Sequence, residues 1–343
     1  MMRAMRRSLI WLFVLALLAG CGRDTAVSPI PSTPQPLTPS SPQGGLYFIR
    51  VDRTTQELVR YDVAEGTSTV VFTVPETAWL KEMAVSPAGQ IALAYAPPPE
   101  EGSPQYGFTG LYRLPDDGSA PVELIARGSP DEIFFNPGWS PDGRMLYYAH
   151  LSPAEDGSGN FVTTLERLDT AAGESEIVVD NAIWPRLSPD GRTLAYVAFD
   201  PQTQIYNLIL ADADGRNPHI LVPMGDFLAL DAPMFSPDGD TLCFSAVSPA
   251  DSSRSWWEIV LGIQTAAAHN LPSDWWCLPT AGGQPQRLTN LNEIGLYGAF
   301  SPDGREIGFA SQGGIYRMAA DGRNLEKWLD VSALDSFAWI GDS

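Results

Sequence analysis

The chain alternates between short glycine-containing turns and short apolar runs, and one such unit recurs. It reads SPAGQIALAY from Ser86, SPDGRMLYYA from Ser140, SPDGRTLAYV from Ser188, SPDGDTLCFS from Ser236 and SPDGREIGFA from Ser301. The serines stand 54, 48, 48 and 65 residues apart. Ser-Pro-Asp-Gly is turn chemistry: Pro presets φ, Asp bonds its own backbone and Gly accepts a positive φ. The residues that follow are apolar with β-branched and aromatic members, which predicts a buried strand. An apolar residue precedes each Ser (Val85, Trp139, Leu187, Phe235, Phe300), and Pro137, Pro185 and Pro233 stand two positions earlier. Each unit therefore predicts a tight hairpin. A second glycine turn closes a later apolar stretch, as in LYRLPDDGSAPVELI from Leu111, LILADADGRNPHILV from Leu208, WWCLPTAGGQPQRLT from Trp275 and IYRMAADGRNLEKWL from Ile315. It predicts a third and a fourth strand.

A period near 50 with four strands per repeat is that of a propeller blade. The two turns resemble the repeats of the TolB-type β-propeller family, whose consensus pairs a W-S-P-D-G turn with a later I-Y-x-M-D-A-D-G turn. The resemblance covers residues 46–343. It implies an all-β propeller that recognises a protein or peptide, and it brings no catalytic motif. Unlike TolB itself, no separate α/β domain precedes the repeats. The segment DSFAWIGDS near the C-terminus looks like a first strand without its successors: Phe337-Ala338-Trp339 matches Pro-x-Trp, and Gly341-Asp342 matches the start of a turn. GGLYFIRVD, from Gly44, looks like a second strand without its predecessor. Joining the two gives one composite blade plus five internal ones, a six-bladed β-propeller closed by its N- and C-terminal strands. Closure removes two open sheet edges.

In such a blade the two glycine turns share one face of the disc. The second-to-third loops and the inter-blade connections share the other. Here the turns are short and uniform, while the loops Ala96–Thr109, Ser152–Asn160, Phe199–Gln204 and Val247–Asp274 are long and varied. Variable loops on a repeated scaffold carry function, so the long-loop face is the expected binding face. The longest loop contains SRSWWEIVLGIQTAAAHNL, readable as a helix or as an extra hairpin, packed as a lid or offered to a partner. Trp256, Trp257 and Ile259 within it, with Trp275 and Trp276 just after it, form the candidate binding surface. Aromatic clusters suit protein hot spots or glycan stacking. Cys243 and Cys277 are expected on neighbouring antiparallel strands at the base of that loop. They form either a disulfide around 33 intervening residues or two buried free thiols.

The N-terminus changes the picture. Arg3, Arg6 and Arg7 precede an apolar run from Leu9 to Ala19, too short to cross a bilayer. The run ends in Leu18-Ala19-Gly20-Cys21, which resembles the lipobox of bacterial lipoprotein signal peptides. That resemblance implies cleavage after residue 20 and lipidation of Cys21. Residues 21–45 then form a stalk, of which VSPIPSTPQPLTPSSPQGG from Val27 is too rich in Pro, Ser and Thr to fold. Extended, it reaches roughly 70 Å. The domain would be anchored outside the cytoplasm by lipid, on an outer membrane or the outer face of a cytoplasmic one.

Composition narrows function further. Of 343 residues 44% are apolar and 18% charged, with 41 acids against 21 bases and a net charge of −20. That balance speaks against a nucleic-acid surface. Metals find little support: Asp212-Ala213-Asp214-Gly215 lacks the further ligands of a calcium loop, and His150, His219 and His269 lie far apart. No G-x-S-x-G elbow exists, and Arg186 and Asp231 are the modest channel candidates, expected solvated at its mouth. The expectation is a binding protein without cofactor, metal or catalysis. Its partner is a protein or peptide of the cell envelope. A glycan ligand on the Trp-rich loop is the alternative.

Overall fold

Each Ser-Pro-Asp-Gly unit folds into the hairpin its chemistry dictates, and the serine does more than flank the turn. In blades 3 to 6 its Oγ donates to the Asp two residues on: Ser140 to Asp142 at 2.5 Å, Ser188 to Asp190 at 2.6 Å, Ser236 to Asp238 at 2.5 Å and Ser301 to Asp303 at 2.7 Å. The same Oγ accepts the N–H of the first residue of the next strand, at 2.8–3.0 Å for Met145, Thr193, Thr241 and Glu306. All five motif serines are buried, so these bonds satisfy a hydroxyl that would otherwise be costly.

The computed structural model describes residues 44–99, 108–200, 205–248 and 271–341. They form six four-stranded antiparallel sheets. Blade 1 holds β1 (Gly45–Val51), β2 (Gln56–Asp62) and β3 (Thr67–Thr73). Blade 2 runs β4 (Trp79–Val85), β5 (Ile91–Ala96), β6 (Gly110–Leu114) and β7 (Val122–Ile125). Blade 3 runs β8 (Ile133–Trp139), β9 (Met145–Pro153), β10 (Phe161–Asp169) and β11 (Glu174–Asp180). Blade 4 runs β12 (Ala182–Leu187), β13 (Thr193–Asp200), β14 (Ile205–Asp212) and β15 (His219–Pro223). Blade 5 runs β16 (Ala229–Phe235), β17 (Thr241–Val247), β18 (Asp274–Pro279) and β19 (Gln286–Arg287). Blade 6 runs β20 (Tyr297–Phe300), β21 (Glu306–Ser311), β22 (Gly314–Ala319) and β23 (Glu326–Leu329). The last strand, β24 (Ala333–Ile340), returns to blade 1 and pairs antiparallel with β1, Gly45 opposite Ile340 and Leu46 opposite Trp339. The composite blade read from the two half-blades is therefore present.

Register shifts recur at fixed places. On the inner strands Asn136-Pro137, Trp184-Pro185 and Ala232-Pro233 each stand against a single residue of the second strand. This explains the prolines that precede the motif: a bulge leaves a residue out of the ladder, where a missing N–H costs nothing. On five outer strands one extra apolar residue (Val71, Leu124, Val178, Leu221 or Trp328) is inserted, and each is half-buried against the core. These bulges also spoil the straight edge that a sheet would otherwise offer to another chain.

The seam between blades 6 and 1 is aromatic. Trp339 of β24 lies 5.4 Å from Trp328 of β23, which meets Tyr61 of β2 edge-on at 5.9 Å. Gly308 of β21 makes the room: a Cβ there would stand 2.9 Å from the Phe337 ring and 3.0 Å from that of Trp339.

Candidate recognition face and polar hub

The two faces of the disc are built differently. On one, the two turns of a blade bond each other through backbone: Thr170 donates to Arg144, Ala213 to Arg192, Thr280 to Asp240 and Ala320 to Arg305 at 2.8–3.2 Å. Successive motif turns also touch, since a Cβ on Gly191, Gly239 or Gly304 would meet the Pro ring of the preceding blade at 3.4–3.7 Å. Those contacts are of ordinary van der Waals length, and it is the positive φ that reserves these positions for glycine. The opposite face carries the second-to-third loops and the inter-blade connections. There Trp79, at the start of the inner strand β4, is 37% exposed, an apolar group that sequence reading had not singled out.

Blade 5 roots the longest loop, most of which (249–270) lies outside the described residues together with Trp256, Trp257 and Ile259. The root itself is tightly held. Asp274, buried, accepts Arg287 Nη2 at 2.6 Å, Thr289 Oγ1 at 2.7 Å and the Leu291 N–H at 2.6 Å. Ser245 donates to Ser273 at 2.8 Å across the same strands. Leu271 packs on Ala229 and Val247 where the loop re-enters. Cys243 and Cys277 face each other in register with Cα atoms 4.0 Å apart and are joined as a disulfide. The expected measurement is of thiols: the Cys21→Ser chain, unfolded without reductant, should react with no alkylating reagent and after reduction with two equivalents. Two equivalents before reduction would show free thiols.

One expected surface residue is corrected. Trp275 is wholly buried and meets Phe309 edge-on at 5.9 Å, because alternation along β18 turns it into the core between blades 5 and 6. Trp276, one residue on, is half-buried, 4.9 Å from Phe227 and under Arg287. Of these two tryptophans Trp276 alone is partly exposed, and Trp275 offers no surface to a glycan.

At the centre the inner strands assemble a polar hub that the sequence showed only in part. Glu82 of β4 accepts both the N–H and, at 3.1 Å, the Nδ2–H of Asn136 in β8. Asn136 in turn accepts the Trp184 N–H of β12 at 3.2 Å, and Ser336 of β24 accepts the Met83 N–H at 2.8 Å. A side chain from one blade thus holds the bulged backbone of the next. Arg186 donates to the carbonyls of Pro185 at 2.9 Å and Pro137 at 3.2 Å, half-buried, while Asp231 is 1% exposed. Asp231 is therefore not solvated as expected, and Arg186 is only partly so, its guanidinium turned onto backbone carbonyls.

Burial governs the ionisation of this hub. It pushes Glu82 above the usual carboxylate range, against the Lys81 charge and the bonds from Asn136. It pushes Asp231 up to about 8, with Ser245 working against it. Asp335 is raised to about 6 by burial and then by the Glu82 charge, with Lys81 opposing. Burial lowers Arg186 against the attraction of Glu82, and raises Tyr297 well above a normal phenol, helped by the neighbouring acids. Among the described residues no group of three or more metal-ligating side chains converges.

Six four-stranded blades, one of them closed by the first and last strands, define a six-bladed β-propeller. Its paired glycine turns resemble those of TolB-type propellers. Over 130 residues the chain is 28% identical to the Tol-Pal system protein TolB of Francisella tularensis subsp. mediasiatica, a match covering 36% of this chain and 25% of that protein. The chain thus spans a quarter of the length of that relative. Its fold resembles TolB from Acinetobacter baumannii with a TM-score of 0.62 at 15% identity, over 88% of this chain and 68% of that one. A TolB-like protein of Agrobacterium tumefaciens gives a TM-score of 0.58 at 20% identity, over 87% and 94%. No protein-family model matches the chain.

Proposed function

We propose that this chain is a non-catalytic binding protein of the bacterial envelope, exported through residues 1–20 and held by lipid on Cys21. A stalk over residues 21–45 carries the propeller, whose long-loop face recognises a protein or peptide partner. The observation that carries this reading is the root of the blade 5 loop. A buried carboxylate with three partners and a cystine fix both ends of a 26-residue excursion from Ser248 to Ser273 on the face that the uniform turns leave free. A segment that is fixed at its base loses less entropy on binding than one that is not. The hub argues against chemistry in the channel, because Glu82 and Arg186 are engaged by backbone groups instead of facing a substrate.

The test is affinity capture from envelope extract with the Cys21→Ser chain as bait, beside a bait in which residues 252–270 are replaced by a short Gly-Ser link. A discrete protein retained by the first and lost from the second is the expected result. Equal retention by both baits would move the site off this loop. Retention of polysaccharide without protein would sink the protein-partner reading.

A further inference from the structure

We propose that Asp231, Ser245 and Ser273 form a hydroxyl relay through blade 5, by which the charge state of the hub sets how firmly the root of the long loop is held. The inference rests on the reading of that loop as the recognition element and adds its regulation.

Strand register builds the path. Asp231 of β16 stands opposite Ser245 of β17 and is hydrogen-bonded to it. Ser245 Oγ lies 2.8 Å from Ser273 Oγ, and the Ser273 hydroxyl donates to the Glu293 carbonyl at 3.4 Å. Ser273 and Glu293 also bridge through backbone, with the Ser273 N–H at 2.9 Å and the Glu293 N–H at 3.3 Å. Ser273 closes the loop, directly before Asp274 and its three partners. The row of polar groups thus runs from the hub to the loop root. Asp231, Ser245 and Ser273 are all buried.

A hydroxyl has one proton to give, and in a buried row each must give it in the same direction. With its proton on, Asp231 donates to Ser245, Ser245 to Ser273 and Ser273 to the Glu293 carbonyl. Every group in the row is then satisfied. With its proton off, Asp231 can only accept, and Ser245 turns its hydroxyl to the carboxylate. Two oxygens then face each other at 2.8 Å with no proton between them, unless Ser273 also turns and donates to Ser245. In that state the Glu293 carbonyl keeps the Ser273 N–H and loses the hydroxyl. The end of the loop is held by one bond fewer, after two hydroxyl rotations and no movement of the backbone.

The surroundings leave burial in control of the proton. β16 packs against β12, β13, β14, β17 and β20. From β20 Tyr297 faces Asp231, a phenol whose own proton the Asp231 charge helps to retain. Arg186 of β12 is acted on by Glu82 and Tyr297. No charge on β13, β14 or β17 acts on Asp231, which burial keeps protonated up to about pH 8 against the Ser245 bond. The row therefore runs toward Glu293 below about pH 8 and is reversed above it.

The experiment is amide exchange on the Cys21→Ser chain at pH 6 and pH 9, expressed as protection after correction for the intrinsic rise of exchange with pH. The amides of Ser273 and Glu293 report the root, and that of Leu93 in blade 2 reports the rest of the ring. From pH 6 to pH 9 root protection should fall about three- to tenfold, the equilibrium worth of one hydrogen bond, with Leu93 unchanged. Asp231→Asn keeps a donor toward Ser245 at every pH and should hold the root at its pH 6 protection. Ser245→Ala breaks the row, and the root should lose its pH dependence there too. Constant root protection in the parent, an equal fall at Leu93, or the parent's pH dependence surviving in either variant would overturn the proposal. No partner enters this measurement, so its failure and failure of the capture experiment are separate results.

Discussion

Trp339→Ala is expected to lower the stability of the propeller by about 3–5 kcal/mol, the cost of removing a buried large aromatic side chain. Trp339 is 5% exposed, and its indole fills the space left by Gly308 and packs on Trp328. Alanine there opens a cavity at the one place where the ring is closed by strands from opposite ends of the chain, and no covalent link shares the load. Trp328→Ala, on the half-buried outer strand, should cost about 1–2 kcal/mol, nearer the value of a partly buried side chain. The double variant should show a coupling of about 0.5–1.5 kcal/mol, as ring pairs do. Urea unfolding of the four proteins gives all three numbers. A loss for Trp339→Ala no larger than that for Trp328→Ala would mean that the seam does not hold the ring.

Stability should also fall as pH rises from about 5 to 8, and Asp231→Asn should remove part of that fall. In the unfolded chain an aspartate ionises near pH 3.9. In the fold Asp231 keeps its proton up to about pH 8, so over that interval the native state binds more protons than the unfolded one. Stability then decreases with pH, with a limiting slope of about 1.4 kcal/mol per pH unit for one group. Asp335 acts in the same direction up to about pH 6. Glu82, raised by burial, works with the same sign. The turn aspartates run the other way. The serine hydroxyl beside Asp142, Asp190, Asp238 or Asp303 holds each below the usual range, so what they contribute is complete above about pH 4 and is lost in acid. The two sets oppose each other: the buried acids weaken the fold as pH rises, and the turn aspartates weaken it as pH falls. Thermal melts of parent and Asp231→Asn from pH 4 to 9 measure the slope. Superimposable profiles would show that the buried carboxyl does not titrate in this window.

Much of this architecture was written in local signals, because turn chemistry acts within four or five residues. The S-P-D-G units gave the hairpins, their spacing gave the blades, and the two half-blades at the ends gave the closure. The hub was not legible. Glu82 and Asn136 lie 54 residues apart and meet only because two bulges bring equivalent positions of adjacent inner strands together. No window of sequence contains that pair. Trp275 failed for a different reason: strand periodicity separates the faces of a strand but does not say which one meets a neighbouring blade. The motif serine was visible and undervalued, since its role requires a buried hydroxyl, and burial is not a local property.

The pairing of β1 with β24 also sets the order in which the molecule can be made. Five blades are built from neighbouring hairpins and can form as the chain emerges. The sixth cannot, because Gly45 meets a partner 295 residues later, at Ile340. Loop closure over that length is thermodynamically modest, about 0.6 kcal/mol for each doubling, but non-local pairing is slow. Until β24 arrives, β1 waits with a bare edge and Leu46 and Phe48 lack their cover, the state in which strands find wrong partners. Rates of folding, and losses to aggregation, should therefore be governed by the last strand more than by any blade before it.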